Sequence, residues 1–181
     1  AENELSCADC HDSHKPSDPI LKAETQAEAC GRCHKSSQHA AQLMPYRHPV
    51  NEGKVTCTSC HEPHGSNTPA QLVKNSVTET CTTCHAEFRG PFLWEHQPVA
   101  EDCTNCHSPH GSANLAMLKA RGPFQCQQCH ETSGHPSIAF GSNNVAGGTA
   151  PTKAYVLAGN CLNCHTQVHG SNHPSGAKLM R

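Results

Sequence analysis

The pentapeptide Cys57-Thr58-Ser59-Cys60-His61 is one of seven copies of the pattern C-x-x-C-H in this chain of 181 residues. The pattern is typical of covalent c-type haem attachment, in which both thiols form thioether bonds to the porphyrin and the histidine ligates the iron. The seven copies use all 14 cysteines. We therefore predict seven covalently attached haem c groups, with thioether bonds from Cys7, Cys10, Cys30, Cys33, Cys57, Cys60, Cys81, Cys84, Cys103, Cys106, Cys126, Cys129, Cys161 and Cys164.

The histidine that ends each motif is predicted to be the proximal iron ligand. These ligands are His11, His34, His61, His85, His107, His130 and His165. Zinc binding and a disulfide scaffold are alternative interpretations of paired cysteines. A zinc site would join two C-x-x-C pairs and would not need a histidine after each pair. Disulfides within C-x-x-C units would close very small loops and would tie no distant segments together.

Further histidines follow the motifs in two alternating contexts. The odd motifs (first, third, fifth and seventh) have a histidine three or four residues after the proximal one, within Pro-His-Gly-Ser or Val-His-Gly-Ser in three cases. The even motifs (second, fourth and sixth) have a later histidine close to a proline. We predict that both series supply distal iron ligands, which are His14, His64, His110 and His169 after odd motifs and His48, His96 and His135 after even motifs.

The distal histidines of the odd series are expected to ligate a neighbouring haem. A residue three positions after the proximal ligand lies on the same face and cannot reach the opposite side of the same porphyrin. His173 is the alternative to His169, and His39 is expected to be exposed to solvent. The methionines Met44, Met117 and Met180 are too few to serve the irons and are expected to pack against porphyrin edges.

The alternation predicts a repeat of two haems within one elongated heptahaem domain over residues 1–181. The predicted units span approximately residues 1–50, 51–97 and 98–150, with a half unit at 151–181. Hydrophobic residues make up only 35% of the chain, and glycine and proline contribute 13 residues each. Because the polypeptide cannot form an ordinary apolar core, we predict a multihaem cytochrome c fold. A mostly irregular chain with short α-helices and little or no β structure would wrap around a quasi-linear stack of haems.

The attachment chemistry also predicts the compartment. Haem c is joined to exported chains, so we expect a periplasmic protein, with outer-membrane association or an extracellular location as further possibilities. The start at Ala1, six residues before Cys7, is typical of a cleaved leader. No run of about 20 apolar residues predicts a transmembrane helix. The formal net charge is −2 and falls to roughly −9 with ionised propionates on ferric haems, which disfavours nucleic acid as a partner.

Three stretches resemble the MtrA/DmsE family of decahaem c-type cytochromes, namely Arg89–His96, the Pro-His-Gly-Ser repeats and His169–Gly176. The similarity runs from about Arg47 to the C-terminus and implies a periplasmic electron carrier. It implies redox partners, which are an upstream quinol-linked cytochrome and a downstream outer-membrane or extracellular cytochrome or reductase. In some members an outer-membrane β-barrel porin surrounds the cytochrome. The chain has seven motifs rather than ten, which indicates a form shortened at its N-terminal end, and the pentahaem NrfB-type carriers are similar in style.

Taken together, the motifs predict a non-enzymatic electron-transfer protein, a molecular wire that passes electrons through seven bis-histidine haems in respiration. Iron with two histidine ligands reacts poorly with small molecules, which favours a carrier. Two alternatives stay open. A multihaem reductase of a small oxyanion would need one haem with an open distal position and acid or base groups above it. A subunit of an extracellular cytochrome filament could use His39 or His173 to ligate the haem of a neighbouring subunit.

Overall fold

A computed structural model describes residues 5–16, 21–130 and 161–180. The predicted ligand His135 lies outside these residues. The helices of the described chain are α1 (Cys7–Cys10), α2 (Gln26–Gly31), α3 (Lys35–Leu43), α4 (Val77–Cys81), α5 (Gln97–Glu101) and α6 (Gly122–Gln127). Single 3-10 turns span Cys57–Ser59, Ala86–Phe88, Cys103–Asn105 and Cys161–Asn163, and turns with a left-handed backbone span Pro69–Gln71 and Leu115–Met117. Within the same ranges there is no strand, and extended segments meet only at isolated β-bridges.

Each C-x-x-C-H motif forms one helical turn. In all seven motifs the backbone N–H of the histidine donates to the carbonyl of the first cysteine, with N···O distances of 2.9 to 3.0 Å. Residues three and four positions apart on such a turn lie on the same face. The local hydrogen bond therefore brings both thiols and the imidazole to one side of the chain, as thioether attachment of a haem requires.

The chain enters even and odd motifs differently. The helices α2, α4 and α6 each contain the first cysteine of an even motif near their C-terminal end. Thr25 caps α2 and Ser76 caps α4 by accepting the backbone N–H of Glu28 and Glu79, a contact worth about 1 kcal/mol. In contrast, α1 and the 3-10 turns of the other odd motifs begin at the first cysteine. The local structure therefore alternates between even and odd motifs, in step with the predicted two-haem repeat. The boundaries of that repeat stay a prediction.

Little apolar surface is buried in the described part of the chain. Ala27 and Leu179 are its only buried hydrophobic residues. The buried hydroxyls of Thr80 and Thr82 donate at 2.8 Å to backbone carbonyls within their own helix region. The predicted fold class, a mostly irregular chain with short helices, is confirmed. In the described ranges no helix is long and apolar enough to cross a membrane.

Candidate haem sites

Five pairs of imidazole rings face each other, and each pair joins a predicted proximal histidine to a predicted distal one. In four pairs the ring centroids lie 5.9 to 6.1 Å apart and the ring planes are 18 to 29° from parallel. They are His11 with His64, His61 with His110, His107 with His169, and His130 with His96. In the fifth pair, the rings of His85 and His48 lie 6.3 Å apart at 51°.

The spacing of these rings fits one iron atom between them. A metal bond to an imidazole nitrogen is about 2 Å long and each ring centre lies about 1 Å behind that nitrogen, so the centroids should be about 6 Å apart. In the described ranges no group of three or more His, Cys, Asp or Glu side chains could hold a metal ion by itself. Two imidazoles supply the axial ligands of a six-coordinate iron, and the porphyrin supplies the other four. The donor set therefore fits haem.

Each pair joins motifs two places apart along the chain. The histidine after the third, fifth or seventh motif faces the proximal histidine of the odd motif before it, as His110 faces His61. The histidine after the second or fourth motif faces the proximal histidine of the even motif after it, as His48 faces His85. The odd-series histidines therefore reach back to an earlier motif, while the even-series histidines reach forward to a later one. Together these contacts link neighbouring units of the repeat.

Hydrogen bonds to Nδ1 determine the tautomer of three proximal histidines. His61 donates to the carbonyl of Ala70 at 2.8 Å, His107 to that of Ala116 at 2.7 Å, and His165 to that of Lys178 at 2.6 Å. Because a carbonyl oxygen can only accept, Nδ1 carries the ring proton. Nε2 then keeps its lone pair, which is the form that binds a metal.

Two of the predicted distal histidines, His48 and His96 of the even series, are oriented in the same way. The Nδ1 of His48 lies 3.0 Å from the carbonyl oxygen of Pro109, and that of His96 lies 3.0 Å from the carbonyl oxygen of Val168. Both rings therefore also present an unprotonated Nε2.

Two of the carbonyl acceptors belong to strained dipeptides. Ala70 and Gln71 have φ values of 56° and 51°, and Ala116 and Met117 have values of 55° and 56°. The left-handed region costs a residue with a Cβ roughly 1–2 kcal/mol. Sequence reasoning missed these acceptors, because neither dipeptide contains the glycine or asparagine that usually indicates this conformation.

The environment of two distal histidines favours the neutral ring. Burial lowers the pKa of both His110 and His169, and the facing imidazole of His61 or His107 lowers it further. A lowered pKa means that the ring loses its proton more readily, so the neutral form that coordinates a metal dominates over a wider pH range.

The other candidate histidines have different surroundings. His14 and His39 are exposed, and no imidazole in the described chain stacks on His14 or His34. His173 accepts the backbone N–H of Ser175 at Nδ1, 3.1 Å away. That bond leaves the ring proton on Nε2, whereas His61 and His107 carry theirs on Nδ1 and keep Nε2 free of a proton. The structure therefore favours His169 over His173, while the ligand assignments, including those of His14 and His135, stay predictions.

The thiols of consecutive motifs are neighbours. All 14 cysteines lie in the described residues and none is disulfide-bonded. Each even motif packs on the next odd one: α2, α4 and α6 contact the turns that begin at Cys57, Cys103 and Cys161. Each odd motif in turn lies close enough to the next even one for their thiols to interact electrostatically, in the pairs Cys10 with Cys30, Cys60 with Cys84, and Cys106 with Cys129. The seven motifs therefore follow one another in space in the order of the chain.

Helical C-x-x-C-H turns with opposed imidazoles define a multihaem c-type cytochrome. Residues 1–39, 48–90 and 96–135 match the family described as "Doubled CXXCH motif", and the chain belongs to this family. The family and the motifs together show covalently bound haem c, while the number of seven stays a prediction.

Two relatives extend this result. The chain is 51% identical over 178 residues to multiheme cytochrome MtrA of Shewanella baltica strain OS185, an alignment that covers 98% of this chain and 53% of the relative. It is 26% identical over 98 residues to cytochrome c-type protein NrfB of Escherichia coli O6:H1, covering 47% and 51% of the two chains. The chain spans about half the length of the curated relatives it matches. The predicted resemblance to the MtrA family is confirmed.

Proposed function

We propose that the protein is an electron-transfer wire built on seven covalently attached bis-histidine haems. The observation that carries this proposal is the nearness of each attachment motif to the next along the chain, as α2 contacts the turn that begins at Cys57, and this nearness supports an arrangement of the sites in series. When bound, haem c supplies reversible one-electron iron chemistry at each site. The polypeptide holds the sites at fixed separations and keeps their ligation constant.

The opposed imidazoles support a carrier rather than an enzyme. At the five paired sites the opposed imidazoles would hold a bound haem iron from both sides, which would leave no position for a substrate on the metal. The hydrogen bonds of His61, His107, His48 and His96 hold these rings in the ligating tautomer. The reductase alternative needs a site where a substrate replaces one of the two axial histidines.

We further propose that the protein works in the periplasm, with outer-membrane or extracellular association. Haem c attachment outside the cytoplasm supports this location. The proposed partners are an upstream quinol-linked cytochrome and a downstream outer-membrane or extracellular cytochrome or reductase, with an outer-membrane porin as a further partner. The likeness to multiheme cytochrome MtrA, at 51% identity, supports this proposal.

The test uses the matured, haem-loaded protein. We expect seven haems per chain from haem quantification, only low-spin ferric signals in electron paramagnetic resonance, and no carbon monoxide adduct after reduction. Film voltammetry should show reversible electron exchange without a substrate. A high-spin haem that binds carbon monoxide and turns over nitrite or hydroxylamine would contradict the proposal and favour the reductase.

A further inference from the structure

Two turns of the odd series contact a histidine of the even series as well as carrying their own. We call these ligand turns; they are Pro109–Ser112 and Val168–Ser171. In the first, His110 faces His61, while the carbonyl of Pro109 accepts the Nδ1–H of His48 at 3.0 Å. The ring that faces one proximal histidine and the carbonyl that orients a predicted ligand of the next site therefore belong to two consecutive residues, His110 and Pro109. The second turn repeats this arrangement with His169 and His96.

A β-bridge fixes the even-series segment on each ligand turn. Tyr46, two residues before His48, exchanges backbone hydrogen bonds with Ser112 at 3.2 and 2.9 Å. Trp94, two residues before His96, exchanges them with Ser171 at 2.9 and 3.0 Å. The same combination of a facing imidazole, a carbonyl acceptor and a β-bridge thus occurs at both turns. This recurrence indicates that the combination belongs to the repeat.

The glycine of each ligand turn allows the chain that leads into this segment to approach. Gly111 has a φ of 134°, and a Cβ there would lie 2.5 Å from the carbonyl oxygen of Ala40. Gly170 has a φ of 128°, and its Cβ would overlap the ring of Phe92. Gly65 occupies the equivalent place after the third motif with a φ of 115°, yet nothing described lies within 4 Å of its Cβ position. The positive φ favours glycine at all three positions. Only at Gly111 and Gly170 would a Cβ also collide with a neighbouring residue.

We propose that each ligand turn supports the distal ligands of two consecutive sites, so that Gly111 and Gly170 are positioning residues for His48 and His96. This inference rests on the haem ligation proposed above. The hydrogen bond from His48 to Pro109 and the peptide bond from Pro109 to His110 couple the ligation of the fourth and third sites. The equivalent link through Val168 couples the sixth and fifth sites. A shift of the turn then moves two axial ligands at once.

The experiment compares Gly111→Ala with the control Gly65→Ala in the haem-loaded protein. Both variants impose the same backbone strain, because alanine disfavours these φ values. We expect Gly111→Ala to alter two low-spin haem signals in electron paramagnetic resonance and two midpoint potentials in a spectroscopic titration. Gly65→Ala should alter one signal and one potential. Equal numbers of altered haems in the two variants would overturn the proposal.

A rescue experiment decides the matter if Gly111→Ala does not mature. Gly170→Ala alone should alter two haems, because its new Cβ meets Phe92. The double variant Gly170→Ala with Phe92→Ala should alter the same two haems by a smaller amount, since the obstructing ring is gone while the backbone strain stays, and Phe92→Ala is the matched single control. A change confined to one haem in Gly170→Ala would overturn the coupling. High-spin haems in the unsubstituted protein would instead contradict the proposed function itself, so the two failures are distinguishable.

Discussion

The imidazole rings of His107 and His169 oppose each other, with centroids 6.1 Å apart and planes 18° from parallel. This geometry fits two axial ligands of one iron. His173 lies only four residues further along, but its Nδ1 accepts a hydrogen bond from the backbone of Ser175. Two histidines that follow the same motif therefore have different surroundings. His169 faces the predicted proximal ligand His107, whereas His173 is hydrogen-bonded within its own turn.

Replacing His169 with alanine should convert one low-spin haem to high-spin and leave the others low-spin, because the iron of His107 loses its second nitrogen ligand. His173→Ala is the matched control and should leave every haem low-spin. Electron paramagnetic resonance of the ferric protein measures both. If His173→Ala produces the high-spin signal instead, then His173 is the ligand and the alignment of the last unit is wrong.

The pairing of His64 with His11 predicts which haem a distal histidine serves. His64→Ala should create one high-spin haem at the first motif, although His64 directly follows the third. Removing the first haem with Cys7→Ala and Cys10→Ala should therefore abolish the high-spin signal that His64→Ala produces. Removing the third haem with Cys57→Ala and Cys60→Ala should leave that signal in place. The opposite pattern would show that His64 ligates within its own motif.

The left-handed backbone at Ala70 predicts an unusual response to glycine. Ala70→Gly should be neutral or stabilising by up to about 1 kcal/mol, because glycine adopts this φ without steric cost. Ala41→Gly in α3 is the matched control and should destabilise by about 1 kcal/mol, as expected inside a helix. Denaturant unfolding followed by circular dichroism gives both free energies. Equal losses in the two variants would mean that Ala70 stores no strain.

Haem should be required for folding, because Ala27 and Leu179 are the only apolar side chains buried in the described residues. A chain expressed without haem attachment should lack a cooperative thermal transition and should be cut rapidly by trypsin. The haem-loaded protein, treated identically, should resist digestion. A sharp thermal transition of the haem-free chain in circular dichroism would show that the polypeptide has a core of its own.

Much of the site followed from local spacing. A pattern of five residues, C-x-x-C-H, forms its helical turn through one hydrogen bond between its own first and last residues, as between Cys57 and His61 at 3.0 Å. Low hydrophobicity and abundant glycine and proline predicted the irregular chain with short helices. The series containing His64 and His110 was also visible, because its members share the Pro-His-Gly-Ser context.

The sequence by itself therefore determined the attachment chemistry and the set of candidate ligands, since both depend on residues within a few positions of one another. Only the tertiary structure decided that His48 faces His85 and that Pro109 orients His48. These contacts join residues distant in the chain, and no local pattern specifies which of several similar histidines meets which partner. The strained carbonyl of Ala70 likewise depends on where the loop returns to His61, a matter of long-range packing rather than residue type.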